Sequence, residues 1–162
     1  MKNKYIRNAL IFTLVVGSLL MADLTLKSYN FILPDSGTDS NGYIQQENFF
    51  IGIRSYAHTN SSFFSFINMD ISNVTQMVIS YLTAGGLIIW MIFANSKLNV
   101  IALAIMISGV LGNAFDTTFF GYVRDIFYTP WADRGTFNFA DVLTVFGAIL
   151  LFIWILIETF KK

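Results

Sequence analysis

The sequence predicts an all-α membrane protein: four transmembrane helices with a small extracytoplasmic β element. Three observations predict it. Of 162 residues, 55% are hydrophobic and only 12% are charged, against about a quarter charged in a soluble domain. Four stretches reach the roughly 20 mostly apolar residues that cross a bilayer. Basic residues gather at one end of those stretches and acids at the other, as in an oriented multi-pass chain.

Composition also excludes chemistry. Ten basic and ten acidic residues cancel, and no Lys/Arg-rich run is present, so no field draws nucleic acid. There is no Cys, which rules out disulfides, thiolate nucleophiles and Cys-ligated zinc. The single His, His58, leaves no HExxH site and no Ser-His-Asp triad. No metal and no cofactor are expected. The length suits one integral membrane domain over residues 1–162.

The first span runs from about Tyr5 to Leu26, around ALIFTLVVGSLLMA at 9–22. Lys2, Lys4 and Arg7 before an apolar stretch also describe a cleavable signal peptide, but the helical pattern continues through Asp23 and Lys27 with no A-x-A site before them. An outer segment, 28–73, follows, with turn punctuation at 34–42 and aromatic or β-branched runs such as NFFIGI at 48–53. That pattern predicts a few short strands on the membrane surface. The second span covers about 74–94 and the third about 100–120, joined by the tight turn NSKLN at 95–99. Residues 121–137 form a second outer loop, and the fourth span covers about 139–160. Gly17, Gly85, Gly86, Gly109 and Gly112 fall within spans, where small residues let helices approach closely.

Placing both termini in the cytoplasm puts Lys2, Lys4, Arg7, Lys97, Lys161 and Lys162 inside, with Glu158 as the one inner acid. Lys27, Arg54, Arg124 and Arg134 then lie outside, with the other nine acids at or beyond the outer span ends. The inner segments are far shorter, so their basic density is higher, as the positive-inside rule requires.

Ionisable groups in or beside a span are functional-site candidates by default. Asp23 and Lys27 stand at i and i+4 on one helix face. A Lys at the interface can snorkel its ammonium toward water, so the pair reads either as an interfacial salt bridge or as an element orienting a site. Asn113 and Asp116 are at i and i+3 near the end of span three, and Asn138 and Asp141 repeat that spacing at the start of span four. Asn138 is also a good helix cap, with Asp141 in the first turn favoured by the helix dipole. Asp125 lies in the loop between. Three spans and one loop thus converge on one depth. Two carboxylates in a low-dielectric site can share a proton, giving an acid and a base together. With no Cys and no usable His, an aspartyl dyad is the most economical hydrolytic chemistry available.

These residues resemble the lipoprotein signal peptidases (signal peptidase II), bacterial membrane aspartyl proteases. Asp23-x-x-x-Lys27 matches the family's D-x-x-x-K. Gly112-Asn113-x-x-Asp116 matches G-N-x-x-D-R, Gly121-x-Val123-x-Asp125 matches G-x-V-x-D, and Phe137-Asn138-x-Ala140-Asp141 matches F-N-x-A-D. The resemblance implies Asp125 and Asp141 as the catalytic pair. It implies substrate-binding or supporting roles for Asp23, Lys27, Asn60, Asn113, Asp116 and Asn138. It further implies cleavage of lipid-modified prolipoproteins at the outer face of the bacterial inner membrane, with 28–73 supplying an extracytoplasmic β-cradle. Partners would be those precursors and membrane lipids, and four spans with a cradle need no second copy, so a monomer is expected.

The chain departs from the family at three places. The Arg that follows G-N-x-x-D is Thr117. The N-x-G-x-A-F element survives only as Asn60-Ser-Ser-Phe-Phe-Ser-Phe66. Fifteen residues separate Asp125 from Asp141, and Arg124 stands where an apolar residue is more usual. Two alternatives compete with proteolysis: a non-catalytic relative that binds acylated peptides or serves a membrane complex, and a small transporter using its carboxylates. The absence of interrupted spans or paired repeats counts against the latter.

Overall fold

The computed structural model describes residues 2–32, 43–46, 48, 50–58, 72–131 and 135–161. Four helices carry the chain: α1 (Lys2–Asn30), α2 (Asn73–Phe93), α3 (Lys97–Phe120) and α4 (Phe139–Phe160). Each is long and apolar enough to cross a membrane. Helix α1 continues past Leu26 to Asn30, because no glycine or proline interrupts it there.

Helix α3 is the centre of the bundle. Val100, Leu103, Ala104 and Ile107 are fully buried, and Val16 of α1 and Met91 of α2 pack into the same cluster. The other three helices keep large apolar side chains such as Leu14, Leu82, Phe93, Val145 and Phe152 exposed. Surface of that kind is a liability in water and the natural solvent contact in lipid.

At one end of the bundle α1 closes the C-terminus of α2. The last carbonyls of a helix lack internal partners. Here the buried Asn8 Nδ2 donates to Met91 O at 2.9 Å and to Ala94 O at 3.0 Å, and Arg7 Nη2 donates to Asn95 O at 2.9 Å. The cation at that helix end also opposes its negative dipole pole. At the other end α2 begins at Ser72, whose hydroxyl accepts from Thr75 N at 3.2 Å.

The glycines divide by use. A Cβ on Gly112 would stand 2.6 Å from Asp23 Oδ2 and 3.0 Å from the Ala140 Cβ, so α1, α3 and α4 meet at that point only because a side chain is missing. Gly109 faces Ala140 and Thr144 in the same seam, whereas Gly17, Gly85 and Gly86 meet nothing. The expectation of close approach therefore holds for Gly109 and Gly112 and fails for the other three.

Outside the bundle lies an antiparallel sheet of four strands in the order β1 (Tyr43–Gln46), β2 (Gly52–His58), β3 (Val123–Tyr128) and β4 (Thr136–Phe137). The first two come from the outer segment expected to hold strands. The last two come from 121–137, expected to be loop. The run Val123–Tyr128 is rich in β-branched and aromatic residues and is almost wholly buried, which favours a half-covered strand over a solvated turn. Gly121 makes the break that starts it: at φ 77° it ends α3 in the left-handed region, its N–H donating to Thr117 O at 3.2 Å.

Candidate active site

The site forms where the sheet meets the outer ends of α1, α3 and α4. Asn138 is its hinge point. As the N-cap of α4, its Oδ1 accepts from Asp141 N at 3.0 Å, while Asp141 Oδ2 accepts from Asn138 N at 3.0 Å. This is a reciprocal capping box. The other half of the same amide, Nδ2, donates to Asp125 Oδ1 at 2.9 Å. Capping and site-building are one interaction here, not alternatives.

Each aspartate is otherwise held by neutral donors. Asp125 Oδ2 accepts from Thr136 Oγ1 at 2.9 Å, across the pairing of β3 with β4. Asp141 Oδ1 accepts from Asn113 Nδ2 at 2.8 Å. Asp125 is 3% exposed. Burial and the neighbouring Asp141 charge push its carboxyl up to about 7, against the lowering bonds of Thr136 and Asn138. That environment suits one protonated and one ionised carboxyl.

Behind the pair lies a buried ionic array. Lys27 Nζ is 2.8 Å from Asp23 Oδ2, 3.1 Å from Asp116 Oδ2, and donates to Asn113 Oδ1 at 3.2 Å. Lys27, Asp23 and Asp116 are all fully buried. The expectation that Lys27 snorkels to water is therefore wrong: two carboxylates within reach hold it inside, and an unpaired ammonium there would be very costly. Asp23 Oδ1 also accepts from Ala140 N at 2.8 Å, tying α1 to the first turn of α4.

A second cation completes the array. Arg124 donates to Asp116 Oδ1 from Nη2 at 2.8 Å and from Nε at 3.1 Å, and its backbone N–H donates to Asp116 Oδ2 at 3.0 Å. Its guanidinium stacks over the Phe120 ring at 4.1 Å. Thr117, where the related pattern has Arg, donates its hydroxyl to Asn113 O at 3.0 Å. The array's guanidinium thus comes from β3 and not from position 117, and two acids face two bases with the charge balanced.

Of the residues singled out in the sequence, Asp23, Lys27, Asn113, Asp116, Asp125, Asn138 and Asp141 converge in this one network. Asn60 lies outside the described residues. Two members were missed. Arg124 read only as a departure, and Thr136 as a loop residue; its place directly after Gly135 and two residues before Asn138 was the available signal. His58, set aside for want of triad partners, stands with its Nδ1 3.9 Å from Asp125 Oδ2, beyond a direct hydrogen bond.

An apolar groove of about 440 Å³ opens beside Asp141 and runs along α4, lined by Phe137, Val142, Val145, Phe146 and Ile149. Among the described residues no group of His, Asp and Glu is placed to hold a metal ion.

The signal peptidase (SPase) II family model matches residues 15–157. The chain belongs to the signal peptidase II family. A lipoprotein signal peptidase of Clostridium acetobutylicum is 38% identical over 104 residues, covering 61% of this chain and 64% of that protein. One from Enterobacter sp. strain 638 is 45% identical over 60 residues, covering 36% of each. One from Escherichia coli O157:H7 is 40% identical over 91 residues, covering 55% of this chain and 49% of that protein. The matches thus span from about a third to just under two thirds of these curated relatives. Two solved structures of a bacterial membrane enzyme, obtained by the in meso method, superpose with TM-scores of 0.76 and 0.73 at 21% identity. They cover 93% and 90% of this chain and 90% and 92% of those chains. They speak for the fold of this member of the signal peptidase II family.

Proposed function

We propose that the chain is an aspartyl endopeptidase of the inner membrane that removes signal peptides from lipid-modified prolipoproteins, with Asp125 and Asp141 as its catalytic pair. One observation carries the reading. A strand and a helix deliver two carboxyls to Asn138, Asp125 on its side-chain Nδ2 and Asp141 on its backbone N–H, beside an apolar groove on α4.

In this mechanism Asp125 holds the proton and Asp141 is ionised. A water molecule lies between them and the scissile carbonyl. Asp141 takes a proton from the water as its oxygen bonds to carbon, and Asp125 gives its proton to the carbonyl oxygen. In the second step the proton on Asp141 passes to the leaving nitrogen and the C–N bond breaks. One diol hydroxyl returns its proton to Asp125, so the pair is restored.

Asn113, Asn138 and Thr136 hold the carboxyls through bonds that carry no net charge, which preserves the proton asymmetry. The groove along α4 gives the acyl chains of a diacylglyceryl group an apolar bed, so that lipid anchorage sets the depth of the peptide bond. Both termini lie in the cytoplasm and the sheet outside, and the protein works as a monomer.

The test uses purified protein and a synthetic lipid-modified precursor. Asp125→Asn and Asp141→Asn are near-isosteric, so each variant should fold yet lose on the order of a hundredfold or more in cleavage rate. A folded Asn variant that cuts at close to the parent rate overturns the aspartyl reading.

A further inference from the structure

The antiparallel register of β2 on β3 pairs Tyr56 with Asp125 and His58 with Val123. Side chains alternate along a strand, so His58 and Asp125 lie on one face as diagonal neighbours. The ring Nδ1 is 3.9 Å from Asp125 Oδ2. The His58 side chain is 23% exposed and that of Asp125 only 5%. The imidazole therefore stands between a buried carboxyl and the outer solvent.

We propose that His58 is the proton port of the site, exchanging the acid proton of Asp125 with outer water. The inference rests on the reading of Asp125 and Asp141 as the catalytic pair. His58 acts through Asp125 and does not touch substrate.

The proton count explains why a port is useful. Asp125 carboxylic acid with neutral His58, and Asp125 carboxylate with imidazolium, hold the same number of protons. One transfer along Nδ1–Oδ2 interconverts them. A separation of 3.9 Å exceeds a direct hydrogen bond and is closed by one bridging water or a small ring rotation. Both Asp125 oxygens already accept from Thr136 and Asn138, and neither donor can supply a proton at neutral pH. A carboxyl poised near neutrality is ionised in part of the resting molecules, and those must take up a proton before they can act. Imidazole is the side chain suited to that exchange.

The charges around His58 agree with the role. Burial lowers the His58 pKa below its ordinary value, against the raising effect of the Asp141 charge on α4. On its own strand Tyr56 packs against the ring at 5.8 Å, and Arg54 lies over Tyr128. Arg124, the cation nearest in the β2–β3 pairing, is committed to Asp116. No cation among these bars protonation of the ring.

The experiment uses the full chain in detergent micelles. His58→Gln should keep KM, lower kcat about tenfold and shift the pH profile of kcat. Added imidazole should restore part of kcat to His58→Ala and none to Asp125→Asn. Unchanged kcat and pH profile in His58→Gln, or no imidazole response in His58→Ala, overturns the proposal. A second measurement needs no folded His58 variant. With one histidine in the chain, 15N-histidine NMR gives a single assigned ring. Its ring signals should follow the ionisation of Asp125 in the parent and lose that inflection in Asp125→Asn, and an unchanged titration curve overturns the link. The two readings fail separately: active Asp125→Asn refutes the catalytic pair, whereas a silent His58 refutes only the port.

Discussion

Asn138 and Asp125 are bonded through the amide that also caps α4: Nδ2 donates to Asp125 Oδ1 at 2.9 Å while Oδ1 accepts from Asp141 N at 3.0 Å. Asn138→Ala removes both. Loss of the cap should cost about 1 kcal/mol of stability, visible as a lower midpoint of thermal unfolding. Loss of the bridge should cut kcat well beyond that, whereas Asn138→Asp should keep the cap yet set a third carboxylate beside Asp125 and lose activity with little loss of stability.

Arg124 gives a sharper contrast. Arg124→Ala leaves Asp116 and Asp23 sharing Lys27 alone in a dry interior, and breaking a buried pair typically costs about 3–5 kcal/mol. Arg124→Lys keeps the charge but not the fork of two bonds. Denaturation in mild detergent should rank parent, Lys variant and Ala variant in falling stability. Equal stability of all three would contradict the account.

Lys27→Ala should likewise destabilise by a few kcal/mol and misplace Asn113, which holds Asp141. Residual cleavage should persist, since Lys27 bonds Asp23, Asp116 and Asn113 and reaches Asp141 only through Asn113. A fully folded but wholly inactive Lys27→Ala would argue instead for a lysine base.

The pH dependence follows from Asp125, whose carboxyl is pushed up to about 7 by burial and by Asp141. An acid whose folded pKa is raised adds stability below its unfolded pKa, near 4, and loses that contribution as pH climbs through the folded value. Stability should therefore fall between about pH 4 and 7, and Asp125→Asn should flatten that slope. Cleavage should decline above about pH 7 as the proton donor ionises.

Orientation is tested by topology reporters fused at residues 40 and 97. Opposite sides are expected from the dense basic flanks at 2–7, 97 and 161–162. Reporters on the same side would exclude the arrangement with both termini inside.

Much of this was legible in the residues. Apolar length alone located four helices to within a few residues, because a bilayer-crossing helix must satisfy every backbone group internally and so must be long and uniform. The N-x-x-D spacings of Asn113–Asp116 and Asn138–Asp141 marked the polar faces. The sheet was half legible: β3 carries Arg124 and Asp125, and charged residues break the alternation that identifies a strand. Helix patterning says nothing of how deep a cation lies, so Lys27 read as an interfacial residue when two acids from different helices bury it. Strands β2 and β3 are separated by two helices, so no hairpin turn fixes their register in local sequence, which is why His58 could not be placed beside Asp125 before the fold was known.

Gly112 has a wider consequence. It carries no polar side chain, takes no part in proton transfer and would pass as a spacer in any survey of chemistry. Yet an added methyl there would press on the Asp23 carboxylate and on Ala140 together, and the Asp23 carboxylate is what accepts the Ala140 N–H at the head of α4. Gly112→Ala should therefore behave as a lesion of the reaction centre, tilting the helix that presents Asp141. The tolerance of this chain to drift is limited as much by a position that must stay empty as by those that must stay charged.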